Sequence, residues 1–140
     1  MTVWCWMTLL LGLLFALAAL PATDGGARLF YDAVDWPIDG AVIFDPQMRF
    51  TLGVLGAVMM GWALTIFGMV KAADILGAPV WRALTGAMVA WYVLDSAISV
   101  FTGFPINAVS NTVFLATYLL PVLATRAMAR PAGLPGLATA

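Results

Sequence analysis

Phe50–Val70, FTLGVLGAVMMGWALTIFGMV, runs without a single charged side chain. At 1.5 Å of rise per residue such a helix covers roughly 30 Å, the thickness of a bilayer's hydrocarbon core. Three further windows are mostly apolar over a similar length: Val3–Leu20, Val80–Phe101 and Ala108–Thr125. Val3–Leu20 lacks the basic n-region of a secretory signal and reads as a true span. The windows predict an all-α fold, an integral membrane antiparallel four-helix bundle over residues 1–130. The tail at 131–140 is Pro, Gly and Ala and is expected to be loosely ordered.

Composition supports this reading. Of 140 residues, 64% are hydrophobic and 9% charged, where a soluble domain carries roughly 25% charged residues. Such a chain cannot cover itself with a polar surface, so membrane lipids are its expected partners. The net charge of −1 leaves no basic excess to grip phosphates along a nucleic acid, and none is expected as a partner. Histidine is absent, which removes the usual metal ligand, proton shuttle and haem ligand. The single cysteine, Cys5, can form neither an internal disulfide nor a multi-thiolate metal site. No cofactor, metal or catalytic residue is expected.

Charge placement predicts orientation. The connection from Ala22 to Arg49 carries Asp24, Asp32, Asp35, Asp39 and Asp45 against Arg28 and Arg49. Lys71, Arg82, Arg126 and Arg130 gather at the second link and the C-terminal end. The positive-inside rule then puts both termini in the cytoplasm, with the acidic loop outside. Within that loop Arg28–Trp36 reads as a short amphipathic helix lying over the bundle, and Trp36–Gly40 as a turn. The loop aspartates match no Ca²⁺-loop spacing and read as a solvated acidic face. Asp45-Pro46 should cap the second span, while Gly77-Ala78-Pro79 and Gly103-Phe104-Pro105 break the chain between the later ones. The last two spans should therefore be antiparallel neighbours, and Pro121 should kink the fourth. Trp4, Trp6, Trp62, Trp81 and Trp91 are expected as interface anchors or lipid-facing groups.

Two constellations stand out. Gly53, Ala57, Gly61 and Thr65 recur every four residues and clear a smooth stripe for another helix. Packing within the chain's own bundle is favoured over contact with a partner protein. The second is Asp95, ~9 Å below the outer end of its span at 1.5 Å per residue. A carboxylate at that depth is costly in lipid and must face a partner or water. Ser99 lies one turn further out on the same face, and Asn107 and Asn111 lie at comparable depth. Arg49 can reach down from the outer mouth of the second span, so one polar cluster of Arg49, Asp95, Ser99, Asn107 and Asn111 is expected. An Arg49–Asp95 clamp is favoured over a binding group, because one pair without a second carboxylate is poor material for acid–base chemistry.

Arg49-Phe50 followed by Gly53 and Gly56, with Asp95-Ser96 through Ser99 and Gly103 closing the third span, resembles the DoxX-like four-helix membrane proteins of bacteria. Those proteins often carry Gly-Arg where this chain has Asp95-Ser96. The resemblance implies the four-helix architecture and no particular activity. The expected function is a non-catalytic accessory subunit, packed against other integral membrane subunits or further copies in a larger complex, respiratory or photosynthetic. The alternative is a small membrane protein that binds or transports a lipid, quinone or other amphiphile near Asp95.

Overall fold

The computed structural model describes residues 2–35 and 37–131, which form helices and turns and no strand. The helices are α1 (Thr2–Leu17), α2 (Gly25–Asp35), α3 (Pro46–Leu76), α4 (Ala78–Phe101) and α5 (Pro105–Ala124), followed by a 3-10 turn at Ala127–Ala129. The chain divides into two compact units, residues 2–65 and residues 66 onward, with α3 contributing to both. The expected loose tail from Ala132 onward lies outside the described residues, as does Trp36 of the expected turn.

Among the described residues three helices, α3, α4 and α5, are long and apolar enough to cross a membrane, the mark of an integral membrane protein. Only 22%, 17% and 17% of their apolar windows are buried. Phe50 and Phe101, at 72% and 90% exposure, illustrate what faces outward. Contiguous apolar surface on this scale is stable only in lipid or against another protein.

The first apolar window departs from expectation. α1 stops at Leu17 after 16 residues, about 24 Å of rise and short of a ~30 Å core. The cause is local. Pro21 has no N–H to continue the helix and disfavours helical geometry in the residue before it. Residues 18–20 instead tighten into i−3 bonds, and the Thr23 hydroxyl donates to the Leu17 carbonyl at 2.7 Å. The second span runs the other way, to Leu76 instead of Val70, because Ala72-Ala73 prolong the helix until Gly77 breaks it. Gly77 has φ 75, a left-handed angle that suits glycine, and Pro79 then restarts the chain in the first turn of α4.

Within residues 2–65, α1 buries Trp4, Cys5, Thr8, Gly12 and Phe15. Facing them on α3 are Gly56 and Met59–Met60: a Cβ built at Gly12 would lie 3.0 Å from the Gly56 carbonyl. α2 begins at Gly25, three residues before the expected Arg28, and its aromatic side seats on α1 through Phe15–Phe30 (5.3 Å between rings) and Phe15–Tyr31 (6.0 Å). Ala18, Ala27, Phe44 and Leu52 make a small core beneath it. Two tryptophans expected at the interface are interior instead. Trp4 is buried and meets Trp62 edge-on at 5.8 Å, and Trp81 is buried at the start of α4.

Within the second unit α4 and α5 lie along each other. Their hydroxyl and amide pairs, Thr85–Tyr118, Tyr92–Thr112 and Ser96–Asn111, climb one helix as they descend the other. Pro121 sits in the last turn of α5, where its ring removes the bond to the Thr117 carbonyl, and the helix ends at Ala124.

Candidate functional site

Four of the five residues expected to share a polar cluster fall in α4 and α5. Asp95 and Ser99 are one turn apart on α4, so they share a face. Asn107 enters helical geometry because Pro105 starts α5 three residues before the expected Ala108. Its Nδ2 donates to Asp95 Oδ1 at 3.0 Å and to Ser99 Oγ at 2.8 Å. Ser99 Oγ donates in turn to the Asp95 carbonyl at 2.7 Å and to Asp95 Oδ1 at 3.2 Å. Ser99 and Asn111 are buried, and Asn111 Nδ2 reaches Ser96 Oγ at 3.4 Å, one turn deeper along the pair of helices. The grouping ties α4 to α5 just below their connecting turn, which the Phe104 amide closes on the Ser99 carbonyl at 2.8 Å.

Arg49, expected beside Asp95, is engaged elsewhere. Its NH2 atom meets Asp24 Oδ2 at 2.6 Å and its NH1 donates to the Ala18 carbonyl at 3.2 Å. Arg28 shares the same Asp24 oxygen at 2.7 Å. Both guanidinium groups stand 5.9 Å from the centre of the buried Phe44 ring. The Arg28 hydrogen bond, followed by that of Arg49, holds the Asp24 carboxyl below its ordinary pKa against the opposing push of burial. Within residues 2–65, Arg49 and Arg28 thus form an Asp24 bridge between the α2 entry and the α3 entry. A signal for it was available: Asp24 and Arg28 are four apart across the start of a helix, a favourable ion-pair spacing.

The acidic loop is less solvated than expected. Asp32 is buried on α2, and its two oxygens accept from the Gly40 amide at 3.1 Å and the Val42 amide at 3.3 Å. Asp39 accepts from the Ala41 amide at 2.9 Å. Asp45 accepts from the Met48 amide at 2.7 Å, the cap expected for α3. A shallow cavity of about 150 Å³ lies among Asp32, Asp35, Asp39 and Val42. No group of potential metal ligands large enough to hold an ion occurs among the described residues.

The four-residue stripe splits. A Cβ at Gly53 would sit 3.0 Å from Ala19 Cβ, whereas one at Gly61 meets nothing within 4 Å. Ala57, Gly61 and Thr65 are exposed, and the buried positions of α3 in this stretch are Leu52, Gly56, Ala63 and Ile66. The reason is geometric. Four residues exceed one helical turn by roughly 40°, so a strict four-residue repeat that starts against Ala19 at Gly53 has turned by roughly 80° at Gly61, off the packed face. Gly56, one position outside the stripe, makes the close approach.

No protein-family model matches this chain, and neither a curated protein nor a solved structure does.

Proposed function

We propose that this protein is a non-catalytic accessory subunit that packs against other integral membrane subunits of a larger complex. The observation that carries the reading is the open Ala57–Gly61–Thr65 face of α3, smooth and unoccupied after Gly56 has served the contact with α1. Small residues let a neighbouring backbone come close, which is how helices associate where lipid removes the hydrophobic drive. The buried carboxylates Asp24 and Asp32 are bonded to arginines and loop amides of the chain itself, the disposition of structural groups. In this proposal α1 joins α3, α4 and α5 as a fourth, short span of an antiparallel bundle of the DoxX-like kind. Both termini then face the cytoplasm of a bacterial inner membrane.

The test is extraction in mild detergent with the mass of the assembly measured for the wild type and for Gly61→Leu. A stoichiometric larger partner that is lost in Gly61→Leu, with the variant's helicity unchanged, is the expected result. A wild-type chain that runs alone or only with itself refutes the accessory role.

A second reading has one observation in its favour. Ser99 and Asn107 both bond to Asp95 Oδ1, which leaves Oδ2 as the atom a polar headgroup or quinone would meet. Asp95→Asn should then leave the fold intact and remove the bound amphiphile from the purified protein.

A further inference from the structure

The basic end of the second unit is built around a docked segment of chain. Beyond α5, Arg126 takes a left-handed turn (φ 50), and Ala127 is buried against the start of α4. The Arg130 carbonyl accepts from the Ala78 amide at 2.9 Å, and the Met128 carbonyl accepts from Arg82 Nε at 3.1 Å. Arg82 is thus fixed by its inner nitrogen, with its two terminal nitrogens left over, and flanking it on the docked segment are Arg126 and Arg130, both exposed. Lys71 and Asp74 on the last turns of α3 offset each other, so the three arginines set the charge of this end. The opposite end, Thr102–Pro105, carries no charge.

We propose that Arg82, Arg126 and Arg130 form a binding site for the phosphate of an anionic lipid headgroup. Two observations place it at the right level. α4 begins and α5 ends here, so a membrane crossed by these helices has its headgroups at this height. A guanidinium anchored through Nε also presents its remaining edge as a pre-organised fork, the geometry that takes a phosphate through two parallel hydrogen bonds. The site needs no assumption about a partner subunit and stands apart from the accessory role.

Native mass spectrometry of the detergent-solubilised full chain tests it, titrated separately with phosphatidylglycerol, phosphatidylcholine and inorganic phosphate. Phosphatidylglycerol should bind preferentially. Each arginine near the surface is worth roughly a fivefold change in affinity, so Arg126→Gln with Arg130→Gln should weaken binding roughly 25-fold. That pair leaves the Arg82 bond and the Ala78–Arg130 backbone bond in place, so the variant keeps the docked segment and its helicity serves as the control. Arg82→Lys keeps the charge and removes the fork. It should weaken binding while preserving selectivity for the anionic lipid. Equal binding of phosphatidylcholine, equal competition by free phosphate, or undiminished selectivity in the folded double variant each overturns the proposal.

Discussion

Gly56→Ala adds one methyl group at the tightest point between α1 and α3, and its effect can be worked from the surrounding atoms. The new Cβ would meet the Ala16 amide nitrogen, the Gly12 carbonyl oxygen and, at 2.8 Å, Ala16 Cα. All three are backbone, so no side chain can swing aside. Ala16 Cα alone must withdraw by about 0.6 Å to reach the 3.4 Å of ordinary contact, and the other two atoms must move further. A gap of that size, opened along the helix pair, forfeits a quarter to a half of each dispersion contact. Overpacking of this kind costs about 1–3 kcal/mol, and the better helix propensity of alanine returns at most about 1 kcal/mol. The net expectation is a loss of about 1–2 kcal/mol. Gly61→Ala is the matched control, with the same helix, the same chemical change and nothing within 4 Å of the new atom. It should be neutral or slightly stabilising. Thermal unfolding in a mild detergent, followed by circular dichroism, separates the two. Equal midpoints for the two variants would show that α1 does not approach α3 at Gly56, and the reasoning would fall with it.

Further expectations follow from the polar pairs. Asp24→Leu and Arg49→Leu should each destabilise the chain, and the double variant should lose less than the sum, because Asp24 and Arg49 act as one pair. Additive losses in unfolding measurements would refute the coupling. Since the folded Asp24 carboxyl is held below its ordinary value of 3.8, its contribution is present above that pH and lost as pH falls through the lowered value. Wild type should therefore lose more stability than Asp24→Asn on acidification below pH 3.8. Asn107→Leu removes the donor shared by Asp95 and Ser99 and should cost about 0.6–1.7 kcal/mol by thermal unfolding, the range for hydrogen bonds between membrane helices. In a Cys5→Ser background, an impermeant thiol reagent should label Asp39→Cys from outside and spare Arg130→Cys. The reverse pattern overturns the proposed orientation.

What the sequence disclosed depended on whether a feature is local. The breaks at Gly77 and Gly103 and the Asp45 cap are each decided within a few residues and formed where expected, and the amphipathic α2 formed with its start at Gly25 instead of Arg28. The Asp95–Ser99–Asn107 grouping was nearly as accessible, because a three-residue connection forces α4 and α5 to run side by side and matches depth on one to depth on the other. The stripe and the packed face diverge for a countable reason: a period of four drifts around a helix of 3.6 residues per turn. The face that packs follows the spacing of Leu52, Gly56, Ala63 and Ile66, steps of four, seven and three residues that stay close to whole helical turns. Arg49 was the harder case. Five loop aspartates and one in a span compete for it, and composition does not rank them.

Physical chemistry does rank them once the helices are drawn. Arg49 sits in the first turn of α3, three residues after Pro46, at the height of the loop. Reaching Asp95 would mean bringing a guanidinium to a carboxylate ~9 Å inside a span, and two desolvated ions recover that penalty only with near-ideal geometry. Asp24 offers the same charge at the loop, with Arg28 already beside it and the Phe44 ring beneath both cations. The chain thus keeps its ion pairs in the connection between α1 and α3 and joins α4 to α5 with neutral donors: Asn107, the Thr85–Tyr118 pair and the Tyr92–Thr112 pair. Hydrogen bonds of that class are worth about 0.6 kcal/mol apiece between membrane helices. No single one decides whether the hairpin forms, but each fixes the rotation and register of α5 on α4. Conversion of Thr85, Thr112 and Asn107 together to Val, Val and Leu should therefore loosen the register of the hairpin before it unfolds it. Disulfide trapping between cysteines placed at Ser96 and Asn111 measures that register, and an unchanged trapping rate in the triple variant would show that apolar packing alone sets it.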